Sequence, residues 1–262
     1  MKKIFAVFGI LLLLTACTST KEIAYFQDTL QESTTNVTPR LIRLRPQDKM
    51  TILVNTRNQE LTNMFNLAYV TRFIGTNTSY GQGQGVSCYT VDDEGNIDFP
   101  VLGKVNVAGK TRSEVAEFIK KELTNKNLVK DAVVTVEFAN LTYSVLGEVK
   151  NPNRYPIDRD AITLLDAISK AGDLNIHGER TNVKVLRSDT DGKQTTYIVN
   201  LCSLEALQSS PAFYLQQNDV IYVEPNEMRA RQSTVNGNNV RSSSFWISIA
   251  SLFASIINIM LR

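Results

Sequence analysis

The run DEGNIDFPVLGKVNVAGKTRSEVAEFIKKEL, residues 93–123, contains a turn, a pair of short strands and a helix start in immediate succession. In DDEGN, Gly95 supplies the positive φ that a tight turn needs. IDFPVLGKVNV then reads as a β-hairpin or meander. Thr111 and Glu114 have the spacing of a capping box. Val115, Phe118, Ile119 and Leu123 follow at i, i+3, i+4 and i+8, so they share one helix face. Lys120 and Lys121 are expected near the C-terminal end, where cations suit the helix dipole. AVVTVEF (132–138) reads as a further strand.

Upstream, LIRLRPQDKMTILVN (41–55) alternates on both sides of a turn at Pro46-Gln47-Asp48, with Met50, Ile52 and Val54 on one strand face. Residues 56–88 read as an insertion: NMFNLAYV (63–70) suits a short helix and GTNTSYGQGQG (75–85) a loop. Downstream, YSVLGEV (143–149) is a strand and Asn151-Pro152-Asn153 a turn. AITLLDAISKAG (161–172) is a helix capped by Thr163 and Asp166, with Gly172 as its C′ residue. VKVLR and TTYIVNL flank SDTDGK, a hairpin with an Asp-Gly turn signal. FYLQQNDVIYVEP (213–225) reads as a strand pair broken at Asn218-Asp219. The fold class is therefore α+β, small β-rich domains each with a packed helix. Two echoes suggest a duplicated unit: VLGKV (101–105) with VLGEV (145–149), and LRPQDKMTILV (44–54) with LQQNDVIYVEP (215–225).

Both ends of the chain carry membrane signals. Lys2 and Lys3 precede an apolar stretch, Ile4 to Leu14, too short to span a bilayer. Leu14-Thr15-Ala16-Cys17 then reads as a lipobox, with residues 1–16 a signal peptide and Cys17 the lipidation site. Residues 17–40 read as a lipidated N-terminus and polar tether, and 226–243 as a polar linker. Residues 244–262 form an apolar C-terminal helix expected to cross a membrane. Its span from 245 to 261 is about 26 Å at 1.5 Å per residue. Ser244, Ser248, Ser251, Ser255 and Asn258 run down one side of it with a heptad repeat, a spacing that suits a supercoiled assembly. That row suits a watery lumen, where hydroxyl and amide groups meet a sugar polymer, or equally a seam of small residues between helices.

Charge and chemistry exclude other classes. The chain of 262 residues carries 28 basic and 26 acidic residues. Removing Lys2 and Lys3 leaves 26 of each, so nothing draws it to nucleic acid. The lone histidine, His177, lies in a loop, no Cys/His cluster has zinc spacing, and GQGQG is not a phosphate-binding loop. Asp92, Asp93 and Glu94 straddle a turn, and Asp158 and Asp160 have no evident partner. No nucleophile–base pair is present in the sequence pattern, so we expect no enzyme, no metal and no cofactor. Cys88 and Cys202 read as two free thiols.

This order of parts resembles the outer-membrane polysaccharide export lipoproteins, the Wza-like family. LRPQDKMTILV resembles the opening of the family's export domain, and DEGNIDFPVLGKVNVAGKTRSEVAEFIKKEL the remainder of it. VLGEVKNPNRYPIDRDAITLLDAISKAGDL and NDVIYVEP resemble a soluble-ligand-binding β-grasp (SLBB) domain, and KEIAYFQD (21–28) a lead-in found in some members. The resemblance implies an export domain over 41–139 and an SLBB domain over 140–225. It makes Asp48, Gly95, Pro100, Gly103, Gly109, Gly147, Gly172 and Asp219 motif turn residues. Gln47 and Asn218 replace the family's glycines. It further implies a ring, commonly of eight subunits, and a lumen lined by the polar helix row. The implied partners are polysaccharide as cargo, an inner-membrane copolymerase and outer-membrane lipid, in a conduit that catalyses nothing. With one SLBB domain where other members have two, such a ring is shorter along its axis. The rival expectation is an outer-membrane lipoprotein that binds a glycan or protein partner and forms no pore.

Overall fold

A computed structural model describes residues 23–28, 37–66, 88–189, 192–234 and 242–260. Cys17, most of the 56–88 insertion including GQGQG, and the Asp-Gly pair's aspartate lie outside them.

The described elements run β1 (Lys49–Asn55), α1 (Gln59–Phe65), β2 (Cys88–Thr90), β3 (Asn96–Phe99), β4 (Gly103–Asn106), α2 (Arg112–Asn125) and β5 (Val133–Phe138). They continue with β6 (Thr142–Gly147), β7 (Asn153–Pro156), α3 (Leu164–Lys170), β8 (Gly178–Ser188), β9 (Gln194–Val199), α4 (Leu204–Ser209), β10 (Val220–Pro225), α5 (Glu227–Gln232) and α6 (Ser243–Met260). Two hydrophobic clusters divide them.

In the first cluster β1 is central, antiparallel to β2 and β5, and β3–β4 form a separate hairpin. Met50, Ile52 and Val54 point inward from β1, as their alternation requires, and are fully buried. Val115, Ile119 and Leu123 of α2 pack onto them, with Phe118 at the margin. The Thr111–Glu114 capping box forms in both directions. The helix outruns its expected end, however, and stops at Asn125. Lys120 and Lys121 therefore fall short of the last turn, which holds no base. The short helix in the insertion also begins earlier than NMFNLAYV suggests, at Gln59, because Asn58 caps it by accepting from the Glu60 amide at 2.8 Å.

The second cluster is a five-stranded mixed sheet in the order β7-β6-β10-β8-β9, with β6 and β10 parallel. Helix α3 covers it through Leu164, Ala167 and Ile168. Thr163 and Asp166 form the second capping box. Gly172 closes α3 as C′: its amide donates to Ser169 O and the Asp173 amide to Ile168 O, both at 3.0 Å, the paired bonds of a Schellman motif.

Other sequence expectations change. FYLQQ is not a strand; only an isolated bridge, Thr163 with Tyr214, precedes β10. Asn153 begins β7 rather than ending a turn. The stretch 226–243 holds helix α5, capped by Asn226, so it is not linker throughout. Part of the tether is docked: Tyr25 and Phe26 pack on the second cluster, and the Phe26 and Gln27 amides donate to Leu201 O and Cys202 O. Ile42 also belongs to the second cluster, although Leu44 belongs to the first. Cys88 is exposed and Cys202 buried, and no disulfide joins them.

Candidate functional site

The echo between 44–54 and 215–225 is a real repetition of turn geometry. Gln47 and Asn218 both take positive φ, +71° and +64°, where the family pattern has glycine. The following aspartate then turns back on its own loop. Asp48 accepts from the Arg45 amide at 2.8 Å and Asp219 from the Gln216 amide at 2.9 Å. The strands that leave these turns pair differently. β1 has antiparallel neighbours on both sides, whereas β10 has a parallel one in β6. The second echo behaves likewise: VLGKV opens β4 of a hairpin, and VLGEV ends β6. Local turns repeat, but the sheets do not.

The two aspartates are held by different partners. Arg187 reaches Asp219 with Nη2 at 2.7 Å and Nε at 3.0 Å, and its remaining donors go to Pro211 O and Tyr214 O. The ring of Tyr197 covers the guanidinium at 5.5 Å. Asp48 has no such arginine. Gln217, from the other cluster, donates to it at 2.7 Å. Burial pushes the Asp48 carboxyl up from 3.8 to about 6, against the pull of the Arg45 amide.

A raised carboxylate pKa penalises the folded state at neutral pH. Folding takes up a proton between pH 3.8 and about 6, so this group's favourable contribution is complete below 3.8 and is lost as pH rises through 6. Asp48→Asn keeps an acceptor and removes the titration. It is expected to stabilise the protein by about 1–3 kcal/mol at pH 7.5 and to make little difference at pH 4. Urea unfolding at the two pH values checks this; an equal effect at both contradicts it.

The Asp48–Gln217 bond is one of several that clamp the two clusters together. Arg112 donates to Asp160 at 2.5 Å, is ion-paired with Glu137, and stacks on Phe138. The Ile42 amide donates to Asp160 O at 2.9 Å, and Arg45 Nη1 to Ser188 O at 3.1 Å. Asp160, without a partner in the sequence pattern, is thus a clamp residue, and Asp158 pairs with Lys170 at 3.0 Å. Beside the clamp an open cleft of about 590 Å³ is lined by Arg40, Arg43, Arg45, Gly109 and Gln216. Asp92, Asp93 and Glu94 sit around the β2–β3 turn: Asp92 accepts from the Asn96 amide, and Glu94 faces Lys104 at 3.4 Å. His177 lies at the surface of its loop and contributes a backbone carbonyl, which accepts from the Asn226 amide. Among the described residues no group of acidic, His and Cys side chains is placed to hold a metal.

Gly95, Gly103, Gly109, Gly147 and Gly172 all have positive φ, and Val101, after Pro100, joins them at +67°. Of these, Gly147 is under the tightest constraint: a Cβ there would lie 2.0 Å from Val223 O.

Helix α6 is long and apolar enough to cross a membrane, with mean hydropathy 1.6 and none of the spanning window buried. Phe245 and Trp246 form an edge-to-face pair at its start, a suitable interfacial anchor. Along the polar row, Ser248 Oγ donates to Ser244 O at 2.8 Å and Ser255 Oγ to Ser251 O at 2.9 Å. These two hydroxyl protons are thus satisfied within the helix, and their oxygens keep lone pairs for an outside donor.

Arg187 was legible in principle. Val183, Val185 and Arg187 share the inward face of β8, and a charge at an inward position demands a buried partner. The Gln217 and Arg112 contacts had no such signal, because both cross between clusters.

The family described as polysaccharide biosynthesis/export protein matches residues 36–139, an SLBB domain matches 141–223, and a prokaryotic membrane lipoprotein lipid attachment site matches 1–18. The chain is similar to the EPS I polysaccharide export outer membrane protein EpsA of Ralstonia nicotianae, with 34% identity over 57% of this chain and 39% of the relative. It is similar to the capsule polysaccharide export outer membrane protein CtrA of Neisseria meningitidis, with 28% identity over 50% of this chain and 32% of the relative. It is also similar to the exopolysaccharide production protein ExoF of Rhizobium meliloti, with 36% identity over 33% of this chain and 21% of the relative. The matched region thus spans about two fifths or less of these curated relatives.

Proposed function

We propose that this chain, whose residues 36–139 match the polysaccharide biosynthesis/export family and 141–223 an SLBB domain after a lipoprotein attachment site at 1–18, is one subunit of an oligomeric outer-membrane conduit for capsular or extracellular polysaccharide. Cys17 carries the lipid, residues 41–139 and 140–225 form the two periplasmic domains, and α6 crosses the membrane. The conduit performs no reaction. An inner-membrane copolymerase delivers polymer to the periplasmic side.

The polar row on α6 supports this reading most. A single helix encloses no channel, so a lumen requires several copies. Ser244, Ser248, Ser251, Ser255 and Asn258 would face that lumen, with Leu252 and Ile256 toward lipid. Uncharged hydroxyl and amide groups offer a passing sugar exchangeable hydrogen bonds without trapping it by charge. The two domains are clamped to each other through Asp48, Arg112 and Asp160.

The mass of the full lipidated chain in mild detergent tests the assembly. A single species several times the 29.3 kDa of the unprocessed chain is expected. A clean monomer contradicts the conduit and supports a lipoprotein that binds its partner without a pore.

A further inference from the structure

The loop Asp173–His177 and the first residues of β8 receive both segments that lead to the membrane attachments. From the N-terminal side, the Tyr25 hydroxyl donates to Asp173, and the Arg180 guanidinium lies 5.6 Å from the centre of the Tyr25 ring. Burial and the Asp173 carboxylate push the Tyr25 phenol well above its usual pKa, so this donor keeps its proton. Asp28 completes the docking by accepting from Ser203 Oγ at 2.6 Å and the Leu204 amide at 2.8 Å. From the C-terminal side, Pro225 lies opposite Gly178, and the Asn226 amide donates to His177 O at 2.7 Å before α5 begins.

The reach of the chain places this loop. Six residue steps lead from Cys17 to Ile23, which is at most about 22 Å of extended backbone. A lipid on Cys17 therefore keeps the docked segment, and the loop it grips, close to the membrane surface. The side chains there suit that position. Ile176 at the loop tip is 71% exposed, and Ile23 and Met228, each two residues from one of these contacts, are 49% and 52% exposed. Arg229 and Arg231 on α5 follow on the same path, ion-paired with Glu148 and Glu227.

We propose that the Asp173–His177 loop is a third membrane contact, with Ile176 seated in the headgroup–acyl boundary of the phospholipid leaflet that faces the two domains. This rests on the reading of Cys17 as lipidated and α6 as membrane-spanning. The contact would fix the tilt of the domain pair against the bilayer.

The chain has one tryptophan, Trp246, which makes a direct test possible. The full lipidated protein is reconstituted in phosphatidylethanolamine–phosphatidylglycerol vesicles whose acyl chains are brominated near the headgroup. Ile176→Trp in a Trp246→Phe background is expected to lose emission about as strongly as Trp246 does in the parent. Val133→Trp, at an exposed site on β5, is expected to stay bright. Quenching of Trp246 without quenching of the Ile176→Trp reporter overturns the loop contact, leaves the membrane helix standing and points to a second copy or solvent at the loop. No quenching of either overturns the membrane-helix reading and the contact with it. Both reporters are read only from protein with the parent's circular dichroism, and Ile23→Trp, expected to dim as well, replaces any that misfolds.

Discussion

Replacing Arg187 by alanine is expected to cost about 3–5 kcal/mol of folding free energy, a large fraction of the stability of a typical domain. Asp219 is fully buried and its carboxylate depends on Arg187. Removing the arginine strands that charge, and also leaves Pro211 O and Tyr214 O without the donors they now have. The cost is the desolvation of an orphaned ion, not the worth of the pair itself. Arg187→Met with Asp219→Asn, which removes both charges and keeps most of the volume, should therefore recover much of the loss. Thermal unfolding of the two variants checks this. Equal losses in both would mean that packing, rather than the stranded charge, sets the cost.

Gly147→Ala is expected to be about as damaging, at roughly 3–5 kcal/mol, from the left-handed backbone penalty and from overpacking. Gly147 has φ +89°, and its new Cβ would stand 2.0 Å from Val223 O. That oxygen is backbone of β10 and cannot swing aside; it also accepts from the Glu148 amide at 3.0 Å. Relief requires β6 and β10 to part, and theirs is the parallel pairing at the centre of the five-stranded sheet. Gly103→Ala makes the comparison, since it shares a positive φ but has open space where the Cβ would go. It should lose only the backbone penalty of about 1–2 kcal/mol. Matching losses at the two glycines would contradict the steric account.

The features legible in the sequence were local ones. The Thr111–Glu114 and Thr163–Asp166 boxes, the Gly172 terminator and the alternation of Met50, Ile52 and Val54 each depend on residues within one or two turns of chain. Spacing alone could therefore fix them. The misreadings came from tertiary contacts. FYLQQ alternates like a strand, yet the Arg187–Asp219 pair draws Tyr214 O and Gln216 N into a polar loop. EMRARQ looks like linker, yet Asn226 caps it as a helix where β10 leaves the sheet. YFQD sits in a polar tether, but Tyr25 finds Asp173 and Arg180 far along the chain. The two echoes repeat turns and not domains for a related reason. A turn that ends in aspartate repeats wherever a strand must start from a tight corner, and it does not dictate which strands pair beside it.

The row on α6 was wholly legible as a pattern and wholly ambiguous as a role, because lumen and seam ask for the same small polar residues. Thiol reactivity in the assembled protein separates them. In a background lacking Cys88 and Cys202, Ser251→Cys and Ser255→Cys should react with a small water-soluble thiol reagent, while Leu252→Cys and Ile256→Cys should stay protected. Equal protection at all four positions would contradict a water-filled lumen and assign the row to a helix–helix seam.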